Sequence, residues 1–147
     1  ILIIFCLSIT ACATDPNHLT DAQTSIFHSL NVTHTDRSIV VKADAYLNIT
    51  DADFLIIDVS EEDTVSLTYT LTRNKGDITL SYRTPEDSTV LLADTEDKTY
   101  GEETITLQPG TTTFFLAGTD ASFQVSFSVK DIDISKVKSI NDTAPEL

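Results

Sequence analysis

Acidic side chains crowd one short stretch of the chain: Asp51-Ala52-Asp53, then Asp58, then Glu61-Glu62-Asp63. Carboxylates at that density are the raw material of a calcium site, which is built from many oxygen ligands. If the stretch is extended, Asp51 and Asp53 stand at i and i+2 and point to the same face, which makes them the candidate calcium ligands. The glycine and spacing of an EF-hand loop are missing, and Asp58 and the Glu61–Asp63 triplet fall toward the other end of the predicted strand. A negatively charged edge that resists strand-to-strand aggregation accounts for the same residues without a metal. No resident cofactor is expected, and calcium is the candidate ion for these acids.

Three histidines, His18, His28 and His34, lie before the well-patterned part of the chain. Imidazoles bind zinc or copper, and Asp21 or Asp36 could complete such a set. The spacing matches no helix face, so solvated side chains are the plainer reading. No Gly-x-Ser-x-Gly elbow, His-Glu-x-x-His, Cys-x-x-Cys or phosphate-binding glycine loop is present, and the chain has four glycines in all. Catalysis is not expected.

Sugar binding needs exposed aromatic faces, and the chain has no tryptophan. Tyr46 and Tyr100 fall near predicted strand ends and are the candidate platform for a glycan. Tyr69 and Tyr82 fall in the inward phase of their strands and read as core. The outward threonines and serines Thr68, Thr70, Thr79 and Ser81 could meet a protein partner, although β-propensity alone explains them.

The elements that must position these residues are strands. From Ser38 onward the hydrophobic period is two: Val65, Leu67, Tyr69 and Leu71 alternate with threonine and serine, and Phe123, Val125, Phe127 and Val129 with serine, glutamine and lysine. Such strands bury one face and wet the other. Arg73-Asn74-Lys75-Gly76-Asp77 carries residues that tolerate positive φ, so a β-hairpin is expected between 64–72 and 78–83. Thr84–Ser88, Gln108–Thr111 and Gly118–Asp120 read as further turns. Phe54-Leu55-Ile56-Ile57 is a continuous apolar run, as in a central strand covered on both faces. Ile26, Leu30 and Val32 suggest a first strand, although Asp21–Thr24 could open a short helix. Short strands with turns every 8–12 residues or so predict a sandwich or barrel. Residues 25–134 are expected to form this domain, and 135–147, where the pattern is lost, a frayed tail.

The first eleven residues contain no charge and form an apolar core running into small residues, as in a secretory signal. The chain starts at Ile, so a charged segment is expected upstream of it. Ile9-Thr10-Ala11-Cys12 resembles the lipobox of bacterial lipoprotein precursors. That resemblance implies cleavage after residue 11, acylation of Cys12, and residues 12–24 as a tether to a membrane outside the cytoplasm. The alternative is an ordinary secretory signal that ends near a cysteine. With Cys6 removed, Cys12 would be the single remaining cysteine, leaving no internal disulfide. The formal net charge of −14 disfavours nucleic acid, whose phosphates would be repelled.

Between about Asp63 and Lys130, the turn at Gly76, the Pro85-Glu86-Asp87-Ser88 turn, Leu107-Gln108-Pro109-Gly110, Phe115-Leu116-Ala117-Gly118 and Ala121–Val125 resemble the jelly-roll sandwiches appended to exported bacterial proteins, of pre-peptidase C-terminal and CUB-like type. The resemblance implies an all-β, single antiparallel β-sandwich of about eight strands, serving as an accessory or adhesive module. The expected role is a non-catalytic envelope lipoprotein that binds a glycan or an envelope protein. The alternative is a structural spacer with no small ligand.

Overall fold

The computed structural model describes residues 24–48, 50–95 and 98–141. The leader, Cys12, His18 and the tether up to residue 23 lie outside the described residues, as do 142–147. Among the described residues there are eight strands: β1 (Thr24–Thr35), β2 (Ser38–Asn48), β3 (Thr50–Val59), β4 (Asp63–Arg83), β5 (Thr89–Thr95), β6 (Lys98–Leu107), β7 (Gly110–Lys130) and β8 (Val137–Asn141). All pair antiparallel.

Two long strands organise the fold. β4 and β7, each 21 residues, pair along most of their length, and each changes its other neighbour half-way. From Asp63 to Thr72, β4 is flanked by β6; from Ile78 to Arg83 it is flanked by β5. β7 pairs with β3 over Gly110–Gly118 and with β2 over Ala121–Lys130. The outcome is two five-stranded sheets sharing their central strands: sheet I, β1-β2-β7-β4-β6, and sheet II, β8-β3-β7-β4-β5.

The sheets face each other. Phe114 and Phe127 both belong to β7, and a straight strand rising ~3.3 Å per residue would hold them about 40 Å apart. Their ring centroids are instead 4.9 Å apart, so the strand folds back on itself. Phe54 of β3 meets Phe127 edge-on at 5.3 Å. Around these rings the inward residues of both sheets form one apolar core, including Ile39, Val41, Leu67, Leu71, Leu80 and Leu116. The expected all-β, jelly-roll-like antiparallel sandwich is the observed fold, and the first strand is present in place of the helical alternative.

The expected hairpin at 73–77 is not formed. Residues 64–72 and 78–83 do not pair with each other; both pair with β7, on opposite sheets. Arg73–Asp77 is a corner at which β4 passes from sheet I to sheet II, and Gly118–Asp120, expected as a turn between strands, is the matching corner of β7. Corners and hairpin turns both need residues that accept positive φ, and Gly76 (φ 73°) and Asp120 (φ 47°) provide it here. The local pattern is therefore the same for both, and the choice is made by the partner strand.

Asp51-Ala52-Asp53 is extended, within β3. Two other expectations change. The Phe54–Ile57 run is a bulge: the register slips between Asp53 and Leu55, which turns both Phe54 and Leu55 inward, while Ile56 faces outward and is half-buried. The expected tail is ordered as far as residue 141. A 3-10 turn at Ile134–Lys136 leads into β8, which pairs with β3. Buried Asp63 holds this segment, accepting from the Asp133 N–H at 2.8 Å and facing the Lys136 ammonium at 3.5 Å. The Ser60 N–H and hydroxyl both donate to the Lys136 carbonyl, at 2.8 and 3.0 Å.

Candidate functional site

On the central strands of sheet I, the β6-paired half of β4 and the β2-paired half of β7, the outward phase is built mostly from short polar side chains. That follows from the alternation: positions that cannot enter the core are filled by the threonines and serines that suit a pleated, wetted surface. The register aligns them in rows across the sheet. One row runs Asn31, Lys42, Ser126, Thr70, Tyr100; the next runs Ser29, Asp44, Gln124, Thr72. Short side chains at the middle of these rows leave a shallow trough of roughly 370 Å³, floored by Thr70, Thr72, Gln124 and Ser126 and flanked by Ser29, Lys42 and Asp44. Hydroxyls and the glutamine amide both donate and accept hydrogen bonds, and Lys42 and Asp44 add one charge of each sign.

Neither candidate tyrosine lines this trough, but each stands next to a residue that does. Tyr100 is the β6 end of the first row, directly opposite Thr70, and its side chain is exposed. Tyr46 stands two residues beyond Asp44 on the same face of β2. Three strand spacings and four residues of rise separate them, about 20 Å in all. They bracket the trough diagonally and do not form a single platform. Tyr69 and Tyr82 face inward as expected. Tyr69 is buried and donates its hydroxyl to the Leu92 carbonyl at 2.8 Å, while Tyr82 packs partly buried against Phe114.

Tyr46 is fixed at the corner. Its hydroxyl donates to Asp120 Oδ1 at 2.9 Å, and Lys75 Nζ approaches Asp120 Oδ2 at 2.6 Å. The Lys75 bond, then the Tyr46 bond, hold the Asp120 carboxyl below its usual value, while the Asp120 bond raises both Lys75 and Tyr46. A carboxyl with a depressed value in the folded state contributes stability that is complete above the ordinary aspartate range and is lost as pH falls through the folded value. Asp120→Asn is therefore expected to unfold at lower urea than the parent at neutral pH, with the gap closing in strong acid. Urea midpoints at the two pH values check this; a gap that persists in acid would contradict the link.

The other candidates are not brought together. Asp51 and Asp53 share the outer face of sheet II, opposite Ala117 and Phe115 of β7. Asp58 faces Lys138 at 3.7 Å, and Asp63 points inward to its clamp. Among the described residues no group of three acids, histidines or cysteines converges. His28 and His34 are exposed and about 20 Å apart along β1 by strand rise. A second hollow, on sheet II, has Arg83 at its rim, stacked 4.9 Å over the Phe115 ring and facing Asp87 at 3.6 Å.

Lys42, Asp44, Gln124 and Ser29 were not legible as site residues. Their outward phase was readable, but their assembly depends on which strands are neighbours, and a period-two pattern does not carry that information.

No protein-family model matches the chain, and no curated protein matches it either. Solved structures with some likeness include a carbohydrate-binding module from Cellvibrio mixtus lichenase 5A in complex with cellotriose, 13% identical over 73% of this chain and 90% of that one, with a TM-score of 0.32. Another is the CBM35 module of Cellvibrio japonicus Abf62, 16% identical over 87% and 83% of the two chains, with a TM-score of 0.35. A third is the enzymatically active domain of tailspike protein 4 from bacteriophage CBA120, 13% identical over 73% and 18%, also at 0.35. Likeness at this level assigns no function.

Proposed function

We propose that the chain is a non-catalytic binding module, held at the cell envelope through Cys12, whose outer sheet I face receives an extended, hydroxyl-rich ligand of the glycan class. The observation that supports this reading is the pair of polar rows bracketed by Tyr46 and Tyr100. Ligand hydroxyls both donate and accept, as do the serine, threonine and glutamine groups of the floor. Tyr100 offers an exposed ring on which the apolar face of a sugar stacks. The ~20 Å between the tyrosines suits an oligomer better than a single small molecule. Calcium through Asp51 and Asp53 is not needed for this reading.

Affinity electrophoresis through gels containing a panel of soluble polysaccharides tests it. At least one polymer is expected to retard the chain, and Tyr100→Ala is expected to weaken that retardation about fivefold, corresponding to a stacking contribution of about 1 kcal/mol. An entire panel without retardation would overturn the glycan reading and favour the spacer. For the anchor, Cys12→Ser is expected to abolish incorporation of a labelled fatty acid in the producing cell; undiminished labelling would refute attachment at Cys12.

A further inference from the structure

Among the described residues, four strands form the open edges of the two sheets: β1 and β6 on sheet I, β5 and β8 on sheet II. Unpaired edges template pairing with other chains, and charged side chains are a usual guard against it. β5 carries Asp94, β6 carries Glu102 and Glu103, and β8 carries Lys138. β1, at 12 residues the longest of the four, contains no Asp, Glu, Lys or Arg, in a chain whose residues are 22% charged. Its one guard is the bulge at His28, where the register slips between Phe27 and Ser29. Ser29–Thr35 is regular ladder. Leu30 and Val32 point inward from it and are only partly buried.

The charge distribution selects the occupant. Two copies of a chain with net charge −14 repel over most of their surfaces. Along β1 no charges of its own would meet. In an antiparallel pair related by a two-fold axis the strand faces itself, so Ser29, Asn31 and Thr33 meet groups of the same kind, each able to donate and to accept. On the inner side, Leu30 and Val32 of each copy would cover those of the other.

We propose that β1 pairs antiparallel with β1 of a second copy, merging two sheets I into one ten-stranded sheet that presents both troughs on a continuous face. Two linked sites would also raise the avidity for a polymeric ligand, but the pairing does not depend on what the trough binds.

Oxidative cross-linking of the full chain tests it, with the unsubstituted chain as the baseline for Cys6 and Cys12. Asn31→Cys or Thr33→Cys is expected to give a reducible dimer well above that baseline, while Thr104→Cys on the opposite edge stays at it. Light scattering of the unsubstituted full chain in detergent is expected to give a protein mass of two copies, halved in the Asn31→Lys/Thr33→Lys variant at an unchanged melting midpoint. If the lysine pair unfolds the chain, the cysteine comparison decides. A single-copy mass for the unsubstituted chain, or equal cross-linking from Thr104→Cys, would overturn the proposal.

Discussion

Gly76→Val is expected to remove the cooperative fold. Gly76 sits at the β4 corner with φ 73°, where an L side chain costs about 1–2 kcal/mol before any contact is counted. A Cβ at this position would also lie 2.7 Å from Ala121 Cα and 2.7 Å from the Asp120 carbonyl carbon. Both belong to the backbone of the β7 corner, so no side chain can rotate away, and relief requires the two corners to separate. That separation would break the Lys75–Asp120 pair and shift the register on both sheets at once. The combined cost is several kcal/mol, a large share of the ~5–15 kcal/mol that stabilises an ordinary domain. Asn74→Ala, at an exposed neighbouring position, is the control and is expected to change little. Thermal unfolding followed by circular dichroism checks both. A Gly76→Val chain that melts near the parent midpoint would show that the corners do not touch in solution.

Phe127→Ala is expected to cost about 3–5 kcal/mol, the usual range for emptying a buried phenylalanine site. Phe127 is fully buried and is the ring on which the sheets close, contacting Phe54 on sheet II and Phe114 from the other half of its own strand. Neither neighbour can fill the space without shifting a strand of the facing sheet. Phe115 makes an instructive comparison. It is also buried, but it faces outward on sheet II beneath the Arg83 guanidinium and does not belong to the inter-sheet core. Phe115→Ala is expected to cost clearly less, since solvent and the arginine stem can occupy part of the vacated surface. Urea unfolding of the two variants separates them; equal losses would contradict this division of the aromatic residues.

The strands were legible because their alternation is strong. Val65–Leu71 and Phe123–Val129 each bury one phase and wet the other, as their sequences require. What the sequence withheld was partnership. The 73–77 segment has the residues of a hairpin turn, and only the position of β7 makes it a corner. The Phe54-Leu55 pair has the look of a strand covered on both faces, and only the slipped register shows it to be a bulge. β8 is a five-residue strand whose pairing rests on clamps supplied by Asp63 and Ser60, some seventy residues away, so its own short pattern was too weak to announce it. The site follows the same rule. Tyr46 and Tyr100 were readable as a candidate platform, though not that they stand apart, and Thr70 as an outward threonine. Lys42, Asp44 and Gln124 become a surface only when β2, β7 and β4 lie side by side.

The central claim, that ligand is received on the outer face of sheet I, is tested most directly by mapping backbone amide shifts in a nitrogen-labelled chain. The probe is a soluble oligomer of whichever polysaccharide retards the chain in gels. Shifts are expected at Lys42, Asp44, Thr70, Thr72, Gln124 and Ser126, extending to Tyr100, with sheet II undisturbed. Shifts confined to sheet II, around Arg83 and Thr113 or around Asp51 and Asp53, would contradict the account and move the binding surface to the opposite face of the sandwich.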